Sequence, residues 1–352
     1  MPSGSASAGA GAAGGPSAPG SALPSASPAP RSRLSIVCDT LTVLFPLWAV
    51  LGVGLAYVYP PSYAFMLRGN ANSRFEFVLG LLMLSMGVTL STKDLKACLA
   101  RPIPILAGIV AKYTIMPGLA VAVAKVARLP PALATGLILL GCCPAGQASN
   151  VTSLIGHGDV ALSVLMTAVS TLSAAVVTPL LSAKLVGKMI PVSAWALAKS
   201  TARLVLVPTL LGIALNEMFP RAMRRVKDVM PVIACFLTVL VIGTPVSRLT
   251  DVITSHGFAM AKYSTALHVL AYFFGYLAAR LVGFRERTAR TISMQTGMQS
   301  AAIGYALSTA HFSDPLVAVP SGISIALMVW VGATLAVIWR QFPIDDGFEK
   351  DD

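Results

Sequence analysis

Charged residues are scarce in this sequence: they make up 11% of its 352 residues, whereas a soluble domain carries roughly 25%. Hydrophobic residues make up 55%, and the mean hydropathy is +0.76. This composition excludes a soluble domain and predicts a polytopic membrane protein within the lipid bilayer. The net charge of +12 lies largely in short loops between apolar runs, where it orients the chain in the membrane. We therefore expect no nucleic-acid partner.

The sequence also lacks the motifs that mark enzymes and metal centres. It contains no HExxH, no GxSxG and no glycine loop of the kind that cradles phosphate. Its five cysteines show neither CxxC spacing nor a disulfide framework. No pair of acidic residues falls inside an apolar run. We therefore expect a protein that is not an enzyme and that carries no cofactor.

Apolar segments follow one another along the chain, each near the roughly 20 residues that cross a bilayer as a helix. They lie at about 40–60, 74–91, 103–124, 132–156, 159–182, 199–219, 230–247, 259–281, 288–312 and 316–339. The sequence thus predicts an all-α membrane protein with a ten-helix domain at residues 39–340. Ten spans put both termini on one side, and the excess of Lys and Arg on that side favours a cytoplasmic or stromal location for them.

The two ends of the chain differ from this domain. Residues 1–30 are almost wholly Gly, Ala, Ser and Pro, so we expect residues 1–38 to be disordered. Richness in Ala and Ser without acids also fits part of an organellar transit peptide, although arginine enters only at Arg31 and Arg33. Residues 341–352 are expected to form a short acidic tail.

Two apolar spans contain residues that interrupt a helix. Span four reads GCCPAGQASN from Gly141, with Pro144 and Gly146 inside it, and span nine reads SMQTGMQSAAIG at residues 293–304. A broken helix is tolerated in hydrocarbon only where it is buried in protein or lines a cavity. Interrupted spans in matching places of the two halves are the best sequence indication of a transport site.

The two halves also resemble each other. LFPLWAVLGVGLAYVYP at residues 44–60 and LVPTLLGIALNEMFP at residues 206–220 both have an early proline and end in an aromatic residue followed by proline. Each half then has five spans, of which the fourth is broken. An odd number of spans forces opposite orientations, so we predict the inverted repeat of many secondary transporters.

Polar side chains gather around the two breaks. They are Gln147, Ser149, Asn150, Ser163, Thr167, Gln295, Thr296, Gln299 and Ser300. Ser163 and Thr167 share a helix face because they are four residues apart. Oxygen ligands of this kind suit a hard cation such as Na⁺, and a half-helix N-terminus suits a carboxylate. A single Ser or Thr in a membrane span more often bonds its own helix, but nine polar residues at two breaks indicate a site.

One lysine lies inside the membrane. Lys112 is roughly nine to twelve residues, or about 14–18 Å, from either end of span three. A central charge costs about a few kcal/mol or more, so it is by default a functional hypothesis. The alternative is a structural lysine that bonds the carbonyls of a broken helix. For the mid-span His268 we expect a hydrogen-bonded packing role.

The sequence from Gly141 to Leu172 closely resembles the bile acid:sodium symporter family. The resemblance covers about residues 40–340 and includes KYTIMPG at 112–118, QTGMQS at 295–300, AHF at 310–312 and VAVPSG at 317–322. It implies ten helices in an inverted repeat, a panel and a core domain, and two broken helices that cross in the core. It also implies transport of organic anions, coupled to two Na⁺ where both sites are complete. Plant and algal members sit in the plastid envelope and carry small carboxylates such as pyruvate, pantothenate, 2-oxo acids or glycolate.

The resemblance also implies ligands for the ions. The first Na⁺ site would use Ser149, Asn150, Ser163 and Thr167. The second would use Gln299, the carbonyls of Thr296 and Met298, and a span-three glutamine whose place Lys112 takes here. The family's span-nine motif begins with a glutamate that serves both sites, and Gln295 stands in its place. This chain therefore loses an anionic ligand and gains a cation.

The presence of Lys112 at the second Na⁺ site determines how we expect transport to be coupled to Na⁺. A lysine ammonium would repel a Na⁺ about 4 Å away by roughly 4 kcal/mol at an effective dielectric constant near 20. We therefore predict that the second Na⁺ site is absent and that the first persists in weakened form beside the neutral Gln295. Proton coupling through Lys112, or a permanent countercharge with uncoupled transport, are the alternatives.

The substrate is expected where the broken helices cross, near Gln147, Ala148 and Ser300, with Lys112 favouring an anion. We predict alternating-access transport of a small organic anion of the monocarboxylate type, with Na⁺ coupling at one site at most. A Na⁺-independent carrier, either proton-coupled or facilitative, is the first alternative. A membrane receptor or scaffold that kept the fold and lost transport is the second. The plastid envelope is the expected location, and the plasma membrane is the alternative.

Overall fold

The structure is a computed structural model that describes residues 44–187, 190, 193–227, 229–342 and 344. Helices dominate this part of the chain, which contains one isolated β-bridge and no strand. The prediction of an all-α protein is therefore confirmed. The predicted disordered segment 1–38 lies outside the described residues, as does most of the acidic tail at 341–352.

The first half of the chain contains eight of the described α-helices. They are α1 (Phe45–Val58), α2 (Ala64–Leu67), α3 (Ala71–Thr89), α4 (Thr92–Ala100), α5 (Pro102–Val126), α6 (Pro131–Gly141), α7 (Ala148–Ile155) and α8 (Val160–Val186). A short 3₁₀ helix at Pro60–Tyr63 joins α1 to α2.

The second half contains the remaining described α-helices. They are α9 (Ala194–Thr201), α10 (Val207–Met218), α11 (Pro220–Lys227), α12 (Met230–Arg248), α13 (Thr250–Val282), α14 (Glu286–Gly297), α15 (Ala301–His311) and α16 (Val319–Arg340). A π-helical turn at Ala202–Leu206 joins α9 to α10, and a 3₁₀ turn at Pro315–Ala318 leads into α16.

These helices follow the apolar segments closely. The main difference is α13, which begins at Thr250 rather than near residue 259. The short helices α4 and α11 lie in polar stretches that the apolar pattern does not mark. A local signal favours helix in α4, where Ser91 and Asp94 form a reciprocal capping box at its start.

Five described helical segments are long and apolar enough to cross a membrane. They are Pro102–Val126, Val160–Val186, Ala194–Met218, Ala259–Val282 and Pro315–Arg340. The bent pair Leu47–Val58 and Pro60–Leu67 makes a sixth if it is counted as one span. This chain is therefore an integral membrane protein. The helices α6, α7, α14 and α15 have only 8–12 residues each, too few to cross alone at about 1.5 Å per residue.

Helices from the two halves approach each other closely where glycine replaces a side chain. A Cβ atom on Gly87 of α3 would lie 2.2 Å from the carbonyl oxygen of Thr209 in α10, and one on Gly212 of α10 would lie 2.5 Å from the oxygen of Leu84. Small residues allow such backbone contact between membrane helices, where packing rather than hydrophobicity drives association. The glycine pair therefore joins α3 to α10 across the two halves.

Candidate ion and substrate site

Two broken helices cross at the centre of the protein. The first break separates α6 from α7 at residues 142–147, and the second separates α14 from α15 at residues 298–300. The two breaks pair as an antiparallel bridge between Ala145 and Gln299. Gly146 N donates to Met298 O at 3.1 Å, and Ser300 N donates to Pro144 O at 2.7 Å. Each break thus satisfies backbone groups of the other, as a buried break requires.

The second break is narrower than the sequence indicated. The polar pattern marked residues 293–304, but α14 stays helical as far as Gly297 and α15 begins at Ala301. The first break needs its glycine, because a Cβ on Gly146 would lie 2.7 Å from Gln299 O. Ser170, which sequence analysis missed, accepts a hydrogen bond from Ala145 N at 3.2 Å. It lies three residues after Thr167 on the same face of α8, and that spacing could have revealed it.

The predicted first ion site is a compact group of oxygen atoms. Asn150 Oδ1 accepts hydrogen bonds from Ser163 Oγ at 2.8 Å and from Thr167 Oγ1 at 3.0 Å. Gln295 Nε2 lies 2.8 Å from both Ser163 O and Ser163 Oγ, 2.9 Å from Thr167 Oγ1 and 3.4 Å from Asn150 Oδ1. Ser163, Thr167 and Gln295 are fully buried. We call the oxygens of Asn150, Ser163 and Thr167 the oxygen cage.

Ser149, also predicted for the first site, is placed differently. Its hydroxyl donates to Gly146 O at 2.7 Å, one turn back along its own segment. It is buried next to Asn150, but its hydroxyl bonds Gly146 O rather than the oxygen cage. Four of the five predicted residues therefore meet, and Ser149 closes the N-terminal turn of α7.

The predicted second site is organised around Lys112, whose exposed fraction is 1%. Lys112 Nζ donates to Gln299 Oε1 at 2.5 Å, and Gln299 Nε2 donates in turn to Thr296 O at 2.9 Å. The carbonyl of Met298 accepts from Gly146 N. Three acceptor groups assigned to the second ion, Gln299 Oε1 and the carbonyls of Thr296 and Met298, thus receive hydrogen bonds from N–H groups of the protein.

Helix dipoles explain why a cation is tolerated there. Gln299 follows the C-terminal end of α14, which closes at Gly297, and helix C-termini carry partial negative charge. His268 supports the same end, since its Nδ1 lies 2.8 Å from Gly297 O. This contact agrees with the packing role that we expect for the histidine. Its Nε2 is buried without a hydrogen-bond partner in the described part of the chain.

A cavity of about 360 Å³ lies beside the crossing. Its polar wall includes Gln147, Asn150, Gln299 and Ser300, and Ala148 lies among them. The rest of the wall is mostly apolar and comes from α3, α12 and α16, with Met83, Met86, Val241, Ile242, Met328 and Val329. Sequence analysis missed this apolar half, because Met and Val in a membrane span look the same whether they face lipid or a cavity.

Two predicted substrate contacts differ in their placement. Gln147 lines the cavity, and its Nε2 is buried without a hydrogen-bond partner among the described residues. Lys112 does not belong to the cavity wall. Its ammonium lies behind Gln299, a residue of the cavity wall whose side-chain oxygen and nitrogen bond Lys112 and Thr296. Lys112 would therefore act on a bound anion through Gln299 and through its charge rather than by contact.

A buried arginine, which sequence analysis also missed, links helices α7, α14 and α16. Arg290 has an exposed fraction of 4% and its Nε donates to Glu286 Oε1 at 2.8 Å. Its remaining nitrogens donate to the carbonyls of Gly156, Trp339 and Phe342 at 2.9–3.1 Å. Arg290 thus links the start of α14 to the ends of α7 and α16.

Known proteins are similar to this chain over most of its length. The family model described as the sodium bile acid symporter family matches residues 76–256. The "Probable sodium/metabolite cotransporter BASS2, chloroplastic" of Oryza sativa subsp. japonica is 42% identical over 332 residues, which is 94% of this chain and 78% of that protein. The "Probable sodium/metabolite cotransporter BASS1, chloroplastic" of Arabidopsis thaliana is 40% identical over 88% of this chain and 76% of its own length. The "Uncharacterized sodium-dependent transporter YocS" of Bacillus subtilis is 33% identical, over 84% of this chain and 91% of its own length.

Proposed function

Because this chain belongs to the sodium bile acid symporter family, we propose that it carries a small organic anion of the monocarboxylate type across a membrane by alternating access. The chain is a transporter and not an enzyme. The observation that carries the proposal is the crossing of two broken helices beside a cavity of about 360 Å³. A broken crossing of this kind is where secondary transporters hold their cargo.

The proposed architecture has ten membrane-spanning elements in two inverted halves of five. The first half is α1, α3, α5, the broken pair α6–α7, and α8; the second is α9–α10, α12, α13, the broken pair α14–α15, and α16. Packing supports a division into a panel and a core: α1 packs on α12 and α3 on α10, whereas α13 packs on α14, α5 and α16. The cavity lies between α3 and α12 on one side and the crossing on the other, where the two bodies would move.

The anion is proposed to bind at the crossing end of the cavity. The half-helices α7 and α15 begin at Ala148 and Ala301, both in the cavity wall, and a helix N-terminus stabilises an anion by about 0.3–1 kcal/mol. The unpartnered Gln147 Nε2 and the Ser300 hydroxyl supply donors beside them. The opposite wall of the cavity is apolar and suits a short hydrocarbon group. A carboxylate with a small aliphatic group therefore fits both the polar and the apolar wall.

Lys112 is proposed to replace the second Na⁺. The family pattern brings one glutamate and two Na⁺ to the crossing, which is a formal charge of +1. Lys112 with the neutral Gln295 carries the same formal charge with neither Na⁺ bound, so no ion at the second position is needed to keep the field on the anion. The hydrogen bond from Lys112 to Gln299 supports this role. Na⁺ coupling is then limited to one site at most.

The plastid envelope is the proposed location. The relatives from Oryza sativa and Arabidopsis thaliana are described as chloroplastic sodium/metabolite cotransporters. Their identity of 40–42% over most of this chain favours the same membrane and a metabolite as cargo.

Uptake into proteoliposomes tests the proposed function. The purified full chain is reconstituted, and entry of labelled small monocarboxylates is measured under Na⁺, proton and substrate gradients. Transport predicts saturable uptake that an excess of unlabelled substrate inhibits. The proposal fails if no carboxylate enters under any gradient, and binding of the anion without translocation would favour a receptor instead.

A further inference from the structure

We infer that the side-chain amide of Gln295 fills the first cation site itself, so that this chain binds no Na⁺ there and needs no Na⁺ gradient. The inference deepens the proposed function and rests on it for the transported anion. Its structural part stands on the contacts of Gln295 alone. Those contacts surround one nitrogen atom with oxygen atoms from α7 and α8.

The Gln295 nitrogen lies at the centre of the oxygen cage. One carbonyl, two hydroxyls and one side-chain amide oxygen face it, three of them at 2.8–2.9 Å and the fourth at 3.4 Å. An NH₂ group presents positive hydrogens to these oxygens, which is the electrostatic role that a hard cation would otherwise have. The three distances of 2.8–2.9 Å are those of ordinary hydrogen bonds, so the cage is already closed around a donor.

The chemistry of the cage fixes which end of the amide points inward. The backbone oxygen of Ser163 accepts only, and it lies 2.8 Å from Nε2, so the group facing it must donate. The Ser163 and Thr167 hydroxyls both reach Asn150 Oδ1, which leaves their lone pairs toward Gln295. The opposite orientation would bring two carbonyl oxygens within 2.8 Å of each other.

The outward end of the amide is its oxygen, which therefore does not face the oxygen cage. Gln295 Oε1 is buried and has no hydrogen-bond partner in the described part of the chain. A Na⁺ could enter the cage only if the amide turned and offered Oε1 as a ligand. Turning would also remove the short contacts of Nε2 with Ser163 O and Thr167 Oγ1, and the loss of such buried hydrogen bonds is costly. The inward NH₂ is therefore the stable arrangement.

The two ion positions thus follow one principle. At the second position the Lys112 ammonium donates to Gln299, and at the first position the Gln295 amide donates to the oxygen cage. At both positions an N–H group of the protein donates to the oxygen atoms that would otherwise bind an ion. The substrate gradient itself, or another ion, would then drive transport.

A comparison of salts tests the structural part. Thermal unfolding of the purified full chain is followed in NaCl and in KCl at equal concentration, from about 1 to 300 mM. We expect the two unfolding temperatures to agree within about 1 °C at every concentration, because an ion bound only to the folded state would separate them. A Na⁺-specific rise in the wild type that saturates in the millimolar range would overturn the inference.

Variants of Gln295 provide the positive control. Gln295→Glu places two acceptor oxygens at the cage and should gain a Na⁺-specific rise of about 2–4 °C, as expected for an ion well above its Kd. Adding Ser163→Ala to that variant should abolish the gain, since it removes a cage oxygen. If Gln295→Glu does not fold, Gln295→Ala replaces it as the positive control, because it empties the cage without adding charge. If neither variant responds to Na⁺, the cage is no cation site and the inference is wrong.

Uptake separates this inference from the proposed function. Wild-type proteoliposomes should take up the carboxylate at rates that agree within about twofold in Na⁺ and in K⁺. A tenfold faster rate in Na⁺ would overturn the inference while leaving transport intact. Absence of uptake in both salts, with unfolding temperatures that still ignore Na⁺, would overturn the proposed function and leave the filled cage standing.

Discussion

The ammonium of Lys112 and the side-chain amide of Gln299 form a hydrogen bond across 187 positions of the sequence. The bond joins the middle of α5 to the second helix break, beside the negative end of α14. Gln299 in turn lines the cavity. A single buried cation is thereby connected to a residue of the cavity wall, and under the proposed function its charge would act on an anion bound in the cavity.

Replacement of Lys112 and Gln295, the two residues that differ from the family pattern, should create Na⁺ dependence of transport. The double variant Lys112→Gln with Gln295→Glu removes the fixed ammonium and supplies a carboxylate, so ions must provide the positive charge at the crossing. We expect carboxylate uptake to fall at least tenfold in K⁺ and to recover in Na⁺. Lys125→Gln, on an exposed position near the end of the same helix, is the matched control and should transport like the wild type. Wild-type uptake that already requires two Na⁺ per cycle would contradict this prediction.

Gly146→Ala should disrupt the crossing. The added Cβ would lie 2.7 Å from Gln299 O, and the backbone on both sides is held by the paired breaks, so neither partner can move freely. We expect a loss of about 1–3 kcal/mol of stability and of most uptake, measured by thermal unfolding and by proteoliposome assay.

Gly118→Ala in α5 is the control for this substitution, because no atom lies within 4 Å of its added Cβ. It should leave stability unchanged or raise it by up to about 1 kcal/mol, as alanine favours helix over glycine. Equal effects of the two substitutions would show that contact at the crossing is not the cause.

Gln147→Leu should weaken substrate binding without unfolding the protein. Gln147 Nε2 has no partner among the described residues, so its loss removes no internal hydrogen bond, but a bound carboxylate would lose a donor. We expect the KM for uptake to rise by about tenfold, which is 1.4 kcal/mol, with an unfolding temperature within about 2 °C of the wild type. Thr114→Val, on an exposed face of α5 where the hydroxyl bonds its own helix, should change neither quantity. An unchanged KM for Gln147→Leu would show that Gln147 does not bind the anion.

Local composition was enough to locate the helices and their breaks. Pro144 and Gly146 cannot continue a membrane helix cheaply, and α6 ends at Gly141 and α7 begins at Ala148, on either side of the break that the sequence predicted. The i, i+4 spacing of Ser163 and Thr167 was also enough to place both hydroxyls on one face of α8. Both are short-range properties of the chain, which depend on neighbours within one or two turns.

The sequence by itself determined a membrane protein with two interrupted spans and the set of residues around them, because hydropathy and helix breaking are local. Only the tertiary structure decided what those residues do to one another. It placed Lys112 behind Gln299 rather than in the cavity wall, and it turned the Gln295 nitrogen rather than its oxygen toward the oxygen cage. The direction of these hydrogen bonds and the choice of residues that line the cavity depend on groups more than 100 residues apart in the chain. These groups meet only when the two broken helices cross.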